Sequence, residues 1–349
     1  MPVHQQKEPN THFQVRDSAG KGEIKMETLG KMTELKVIRS MFKTKHLSKL
    51  TTCYHCKKGK LGIMHLRNKQ CIKRCRRKGC QRANAVQAGN PVFYVGKGKV
   101  LPLKTQAKIL HCAVWGQKQS LVPALLEDVR DPRPVQKIYI AWRKLVQQFV
   151  KSKQRSIRFG QRKGSVDKSV PLDETEWDEW SPRKQDRANH QVEWQEYVGG
   201  KRRGDRKSLV LEKRPAKQST STRSSSGMAS PPPMTKKEWT KIRDKRLGAG
   251  VLSHTDAAPA YKAQRSDTRH DACKHGRNKR GQKRQWTKAT SHKDLANRTV
   301  KSVGGTQSLD GWWSQGKRAT FGVKSSTPDH VDAHVRAEQW RHWVGAEDR

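Results

Sequence analysis

The chain has 349 residues, enough for two or three domains, but only 32% of them are hydrophobic, so part of it is expected to stay unpacked. Its 75 Lys and Arg against 31 Asp and Glu give a formal net charge of +44, which indicates a polyanionic partner such as nucleic acid. The N-terminus is polar and no apolar run reaches about 18 residues, so we expect neither a secretory signal nor a membrane span.

The beginning of the chain carries little structural signal. Residues 1–35 are polar and show no clear hydrophobic period, which predicts a disordered basic arm. A short basic helix is expected within 32–50, just before the first cysteine.

Five of the seven cysteines lie between Cys53 and Cys80. In a reducing compartment, such clustering indicates metal binding rather than disulfides. Cys53 and Cys56 form a C-x2-C knuckle. The second pair, about twenty residues further on, is either Cys75 with Cys80 or Cys71 with Cys75.

We favour a zinc ribbon over 36–100, because two thiolate pairs of this spacing usually close on one tetrahedral zinc ion. Gly79 would help the second turn, and His55 and His65 are possible substitute ligands. The favoured structural zinc ligands are Cys53, Cys56, Cys75 and Cys80. Many basic residues surround them, more than a folding site needs, which indicates a face that contacts phosphates.

The next segment, 101–156, has the pattern of a small helical domain. Apolar residues recur at helical spacing within 103–128, Gly116 separates two runs, and a basic third helix is expected over 138–154. This order fits a helix-turn-helix that binds DNA and fits an ordinary three-helix linker domain equally well.

Strands dominate the following part of the chain. A first strand near 170–173 should deliver Asp173, and two more are expected at 192–200 and 208–214. Residues 215–234 are rich in Ser, Thr, Lys and Pro, which predicts a loop or disordered insertion. A helix over 235–247 then leads to a buried strand that ends at Asp256.

Three strands, a helix and a strand ending in an acid form the opening order of the ribonuclease-H-like fold. We therefore expect a ribonuclease-H-like domain of the α+β or α/β class over 165–325, preceded by the zinc ribbon and the helical domain. The fifth strand should lie within 263–297. A helix over 305–320 would supply a third acid, Asp310, and 326–349 should form a C-terminal helix.

Two motifs around these acids resemble a known family. Thr306 to Ser314, followed by Lys317-Arg318, is similar to the motif H-T-N-x-I-E-G-x-W-S-x-x-K-R. His-Thr-Asp256, followed by Tyr261-Lys262, is similar to a second motif of the same proteins. These are the Merlin superfamily of cut-and-paste DNA transposases and their bacterial insertion-sequence relatives, which join an N-terminal zinc ribbon to a DDE-type catalytic domain.

The resemblance includes departures at the third acid. Gly305 replaces the family's His, Gln307 replaces Asn, and Asp310 replaces Glu. Because Asp is one methylene shorter than Glu, a metal ion would have to sit closer to this helix.

The first acid has two candidate positions. Val170 to Thr175 is similar to V-E-x-D-E-T, with Pro171 in place of Glu, and puts Asp173 at the acid position. Residues 192–201 also resemble this motif and its continuation, but they need a deletion and place Gln195 at the acid. We prefer Asp173, because it leaves two strands before the helix at 235.

The resemblance implies a DNA transposase that hydrolyses phosphodiesters and transfers strands at transposon ends. Three carboxylates, those of Asp173, Asp256 and Asp310, would hold magnesium or manganese, while the cysteines hold structural zinc. Expected partners are double-stranded DNA, as transposon ends and target, and further copies of the chain, with no membrane. The location would be the nucleus of a eukaryotic host, otherwise the cytoplasm or nucleoid.

Two other interpretations remain open. A domesticated, catalytically inactive zinc-ribbon DNA-binding protein would also carry substituted motifs, whereas an RNA-binding protein would leave the acid spacing unexplained. The basic runs 201–207 and 276–284 are expected to hold phosphates. Trp312 and Trp313 could stack on DNA bases or pack in the core.

Overall fold

The computed structural model describes residues 26–44, 46–67, 70–95, 101–162, 164–186, 191–220, 232–273, 286–320 and 328–344. The chain divides into two compact units, Met1–Gln148 and Phe149–Arg349. Together they form a mixed α and β protein.

The N-terminal unit combines helices with a small antiparallel sheet whose strand order is β1-β2-β3. Its strands are β1 Leu61–Arg67, β2 Gln70–Cys75 and β3 Ala83–Ala85. Its helices are α1 Met26–Lys31, α2 Glu34–Lys43, α3 Leu103–Val114, α4 Val122–Leu125 and α5 Pro132–Lys153, the last of which continues past the division between the units. None of the helices in the described ranges combines the length and apolar character needed to cross a bilayer.

The predicted arm over 1–35 is wrong for its last ten residues, which contribute to α1 and α2, while 1–25 lie outside the described residues. Leu29 is the one buried residue of α1 and is fully buried. Because a single apolar position forms no periodic pattern, the sequence did not predict this helix. The expected helix within 32–50 ends at Lys43. The helix predicted over 138–154 begins earlier in the structure, at Pro132. Proline is tolerated there because it lies in the first turn of the helix.

A carboxylate joins the beginning of this unit to α3. Glu34, the first residue of α2, accepts hydrogen bonds from the backbone N–H groups of Leu103 (2.8 Å) and Lys104 (2.9 Å). These donors have no partner within α3, because the first turn of a helix leaves its N–H groups free. Glu34 therefore provides hydrogen-bond acceptors for the first N–H groups of α3, although it lies about 70 residues earlier in the chain.

The C-terminal unit is built on a mixed sheet with the order β6-β5-β4-β8-β9, in which β7 also pairs with β5. The strands β4, β5 and β6 are antiparallel neighbours, whereas β8 runs parallel to both β4 and β9. Their bounds are β4 Asp173–Asp186, β5 Gln191–Arg202, β6 Val210–Lys213, β7 Lys217–Thr220, β8 Val251–Thr255 and β9 Thr268–Ala272.

Two strand predictions need correction. The first strand does not end at Asp173 but begins there and continues for 14 residues. The predicted insertion 215–234 contributes a strand at Lys217–Thr220, because β5 is long enough to offer its outer end, Gln191–Trp194, as a partner. Residues 221–231 lie outside the described residues.

Helices and a separate hairpin complete this unit. The helix α6 (Lys236–Arg246) precedes β8, and β9 supplies the strand expected within 263–297. The antiparallel hairpin of β10 and β11 then leads directly into α7. The bounds are β10 Lys288–Lys293, β11 Thr299–Gly304, α7 Gln307–Thr320 and α8 Pro328–Val344.

The two faces of the sheet bury different groups. One face packs against α6 in a core that includes Val198, Val251, Trp239 and Tyr261. On the other face, Trp180 of β4 packs against Trp312 and Trp313 of α7, whose ring centroids lie 5.6 and 5.2 Å away, respectively. Both tryptophans of α7 are almost fully buried, so they pack in the core.

The start of α6 provides a stability prediction. Thr235 and Glu238 form a capping box, in which each side chain accepts the backbone N–H of the other residue (3.2 and 2.8 Å). Replacing Thr235 with Ala should lower the free energy of unfolding by about 1 kcal/mol, as measured by urea denaturation. Thr240→Ala, inside the same helix, is the control and should be neutral or slightly stabilising. Equal losses in both variants would contradict the cap.

Candidate functional site

Two carboxylates meet where β4 and β8 run side by side. The parallel register pairs Asp173 with Val251 and Trp177 with Thr255, so Asp178 and Asp256 come next on their strands. Neighbouring strands lie about 4.8 Å apart, and residues at matching positions point to the same face. Asp178 and Asp256 therefore project together from the face that α7 covers.

The helix α7 is held against this face by β4. Glu176 accepts hydrogen bonds from the hydroxyl of Ser308 (2.8 Å) and the backbone N–H of Leu309 (2.9 Å). Two residues further along β4, the carboxylate of Asp178 accepts the indole N–H of Trp313 at 2.8 Å. A negative charge at a helix N-terminus is also favourable, by about 0.3–1 kcal/mol in exposed settings and more when partly buried.

Asp310 lies in the first turn of this anchored helix. The hydroxyl of Thr306 donates a hydrogen bond to its carboxylate (3.1 Å), and the Asp310 N–H donates to the Thr306 carbonyl (2.9 Å). The position of Asp310 is thus determined by the same contacts that fix α7.

The electrostatics show that the three acids influence one another. Loss of solvent, together with the nearby charges of Asp256 and Asp310, raises the pKa of Asp178 from its ordinary value to about 8. Among the described residues, however, the three carboxylates do not all lie within 4.8 Å of one another. A single octahedral ion, with ligands at about 2.1 Å, could not contact all three as they stand.

A strained residue follows Asp256. Ala257 has a φ of 72°, in the left-handed region that residues with a Cβ rarely adopt. The carboxylate of Asp256 accepts the backbone N–H of Ala258 at 3.0 Å, which holds the turn. This turn ends the strand and leaves Asp256 at its C-terminal end, as the sequence predicted.

The structure separates Asp173 from the other predicted acids. Asp173 begins β4, five residues before Asp178, and its two oxygens accept hydrogen bonds from Arg202 (2.7 and 2.9 Å). The backbone N–H of Gly160 adds a third, at 2.7 Å. The choice of Asp173 as first acid does not fit this geometry.

The rival first-acid region does not fit either. Gln195 is buried on β5, where its amide donates to the hydroxyl of Tyr197 and the carbonyl of Pro328, both at 3.1 Å. Glu196 points to the opposite face and forms an ion pair with Arg214 (2.9 Å). Asp178 is the acid that the structure brings to Asp256 and Asp310.

A local signal for Asp178 was present in the sequence. Glu176-Trp177-Asp178-Glu179 carries the E-x-D-E part of the first-acid motif, whereas the prediction placed that motif at 170–175. The three acids of this match have different contacts: Glu176 and Asp178 bind α7, whereas Glu179 does not. Glu179 points to the α6 side, where Arg214 contacts its carboxylate at 2.7 Å, and loss of solvent raises its pKa to about 7 despite this partner.

A buried polar network supports β8 next to the acids. His254 is fully buried, with its Nε2 3.2 Å from Glu174 and its Nδ1 3.4 Å from Asp271. The hairpin joins this network, because Ser302 donates to Glu174 (2.9 Å) and Thr290 donates to Asp271 (3.1 Å). The network therefore ties β4, β8, β9 and the hairpin together.

Part of the basic run 201–207 is occupied inside the fold. Arg202 binds Asp173, and Arg203 contacts Glu174 and Glu176, each at 3.2 Å. Lys201 is largely buried. Arg202 and Arg203 are thus paired with acids of the sheet, while 41% of the Arg202 side chain stays exposed. The other basic run, 276–284, lies outside the described residues.

In the N-terminal unit, the structure brings together the four predicted cysteines. The sulfur atoms of Cys53, Cys56, Cys75 and Cys80 all lie within 4.8 Å of one another. The Cys53–Cys80 and Cys56–Cys75 sulfurs are each 3.8 Å apart. A tetrahedral zinc ion with Zn–S bonds of about 2.3 Å requires sulfurs about 3.8 Å apart, so the cluster is compatible with structural zinc.

The backbone of the first knuckle is shaped for thiolates. The Gly59 N–H points to the Cys56 sulfur at 3.3 Å, and the Lys58 and Gly59 N–H groups lower the pKa of Cys56 to about 6. Asn84, which sequence reasoning missed, accepts the Tyr54 N–H (2.7 Å) and lies 3.4 Å from the Cys53 sulfur. Its distance from the knuckle in sequence gave no local signal.

The alternative ligands lie outside this cluster. Cys71 is buried in β2, and the His55 ring is 3.2 Å from the Ala83 carbonyl. His65 is exposed on β1. The left-handed residue of the second turn is Gln81 (φ 47°), so the role expected for Gly79 is not needed.

Comparison of the chain with protein-family models, with curated proteins and with solved structures finds no match.

The packing at Gly59 provides a test of the cysteine cluster. A Cβ added there would lie 2.3 Å from the Cys75 sulfur, whereas one added at Gly79 would have nothing within 4 Å. Gly59→Ala should therefore abolish stoichiometric zinc retention after gel filtration, and Gly79→Ala should retain it. Cobalt substitution would report the same difference as loss of thiolate-to-cobalt absorption. Retention of zinc by both variants would contradict the arrangement of the cluster.

The raised pKa of Asp178 predicts a pH dependence. Between about pH 4 and pH 8 the folded chain keeps a proton that the unfolded chain releases, so unfolding free energy should fall as pH rises. Urea denaturation without added magnesium or manganese should show this slope in the wild type. Asp178→Asn should reduce it and Asp173→Asn should preserve it. Equal slopes in wild type and Asp178→Asn would be inconsistent with the shift.

Proposed function

We propose that the chain is a DDE-type DNA transposase, in which Asp178, Asp256 and Asp310 hold divalent metal ions for phosphodiester hydrolysis and strand transfer. The observation that carries this proposal is the convergence of three acids from two adjacent parallel strands and one anchored helix. Asp178 takes the place that the sequence had assigned to Asp173.

The strand arrangement supports a ribonuclease-H-like interpretation of the catalytic unit. Three consecutive antiparallel strands, the short strand β7 at the edge of β5, a helix and then two strands parallel to the first follow one another in the chain. The first strand lies at the centre, with the antiparallel strands on one side and the parallel strands on the other. This is the arrangement expected of the fold in which such an acid triad would work.

The donor set fits magnesium or manganese. Carboxylate oxygens are the ligands these hard ions prefer, and a cation would relieve the repulsion that raises the pKa of Asp178. The three groups do not all lie within 4.8 Å of one another, which suits two ions better than one. When bound, such ions activate an attacking oxygen and stabilise the leaving oxygen of an in-line displacement at phosphate.

The protein's own contribution is positioning. Trp313 fixes one oxygen of Asp178, Thr306 fixes one of Asp310, and the N–H of Ala258 fixes one of Asp256. Supporting hydrogen bonds of this kind orient metal ligands and are costly to remove.

The cysteine cluster would hold structural zinc in a ribbon that contacts double-stranded DNA. Its four thiol groups leave no open position, so the site would maintain the fold and take no part in the chemistry. Exposed basic residues on the same unit suit a phosphate backbone, namely Lys57, Lys58, Lys60, Arg67, Arg74, Arg76, Arg77 and Lys78. The partners would be transposon ends, target DNA and further copies of the chain, in the nucleus of a eukaryotic host or otherwise in the nucleoid.

A second candidate function is a domesticated DNA-binding protein without catalysis. The departures at Gly305, Gln307 and Asp310 favour it, because Asp310 has a shorter reach than the glutamate of the family motif. The motif resemblance and the zinc cluster do not distinguish the two functions.

A cleavage assay on supercoiled DNA that carries the element's ends tests the proposal. With magnesium or manganese the wild type should nick, and Asp178→Asn and Asp256→Asn should each lose more than about a hundredfold in rate, since even supporting-residue changes cost 10–100-fold. Asp173→Asn is the matched control and should nick at a rate close to wild type.

Circular dichroism should first show that all variants are folded, because Asp173→Asn weakens the contact with Arg202. Loss of nicking in Asp173→Asn but not in Asp178→Asn would reverse the assignment of the first acid. If every protein binds double-stranded DNA and none cuts it, the non-catalytic function is correct.

A further inference from the structure

We propose that His330 and His334 form a second metal site, one that takes a divalent transition-metal ion of the copper, nickel or zinc class. The site lies on α8 and shares no residue with the cysteine cluster or the three acids. It is independent of the proposed transposase function.

The geometry of the pair is that of a chelate. The two histidines are four residues apart on one helix, so their side chains lie on the same face. Their Nε2 atoms are 3.2 Å apart and the ring planes are inclined by 44°. With metal–nitrogen bonds of about 2.0–2.1 Å, a tetrahedral ion places two nitrogens about 3.3–3.4 Å apart.

The alternative for this pair is a hydrogen bond between the two rings. Such a bond needs one Nε2 to carry a proton and the other to offer its lone pair. Metal binding needs both Nε2 lone pairs, so the proton of the donor ring would move to its Nδ1. The ion then occupies the position of the shared proton, with no net proton release from two neutral rings.

The helix that carries the pair is firmly held. Asp332, between the two histidines, accepts hydrogen bonds from the Tyr197 hydroxyl (2.7 Å) and contacts Lys151 (2.6 Å) and Arg336 (3.3 Å). Val331 and Val335 are buried on the same helix. Little ordering is therefore needed to bring the imidazoles together, which favours binding because preorganised ligands lose less conformational entropy.

The ligand chemistry separates this site from the acids. Imidazole nitrogen suits copper, nickel and zinc, with copper(II) binding most strongly in the usual series, whereas carboxylates suit magnesium and manganese. Water would complete the coordination of an ion held by two imidazoles. We therefore expect an exchangeable site that magnesium does not occupy.

Copper(II) titration of the full chain, with the cysteine cluster already loaded with zinc, tests the site. Electron paramagnetic resonance should show coupling to two imidazole nitrogens in the first equivalent bound, with glycine present to suppress weak sites among the 14 histidines. His330→Gln and His334→Gln should each bind that equivalent about tenfold or more weakly, because one of two ligands is lost. His65→Gln, which alters an exposed histidine on β1, is the control and should bind like the wild type.

A thermal measurement guards against misfolded variants. Glutamine is a good helix former, so both variants should keep the wild-type circular dichroism spectrum. Nickel(II) should raise the melting temperature of the wild type and of His65→Gln but not that of the double variant, which carries both His330→Gln and His334→Gln. Equal copper affinity in wild type and double variant would overturn the site and leave the pair as a hydrogen bond. Nicking activity does not enter either readout, so this outcome is separate from that of the transposase proposal.

Discussion

The contact between Glu176 and the start of α7 is the interaction on which the acid site depends. Glu176 and Asp178 lie two residues apart on β4 and therefore share a face. One binds the N-terminus of the helix that carries Asp310, and the other stands beside Asp256. A single strand thus supplies an acid and also fixes the third acid, so that small shifts of β4 would move both together.

Acidic residues are outnumbered by basic ones in this chain, 31 to 75, and several of those described make structural contacts. Glu34 accepts the N–H groups of Leu103 and Lys104 at the start of α3. Glu176 accepts the N–H of Leu309 in α7, and Glu238 accepts that of Thr235 before α6. Asp173 holds Arg202 within the sheet. These carboxylates are therefore engaged at helix starts and by a basic side chain of the sheet.

Local sequence patterns predicted the parts of the structure that depend on local chemistry. The spacing of Cys53 and Cys56 predicted the knuckle, and the apolar run before Asp256 predicted β8. We predicted the first acid at Asp173, whereas the register of β4 against β8 puts Asp178 next to Asp256. That register is set by pairing between strands about 80 residues apart in the chain. The residues around Asp173, five positions before Asp178, match the first-acid motif almost as well as those around Asp178. Asn84 was missed for the same reason, since its partners are distant in sequence.

The contact of Glu34 with α3 also determines how the cysteine cluster is attached. Everything from the end of α2 to the start of α3, including β1, β2 and β3, lies between two points that this carboxylate joins. Lys104 strengthens the junction by donating to the Gly30 carbonyl at 2.6 Å. The cysteine cluster therefore lies in a segment whose two ends are held together by the contact of Glu34 with α3. The chain entropy that a bound zinc ion would have to offset is that of a loop already closed, which is smaller than that of a free terminal segment.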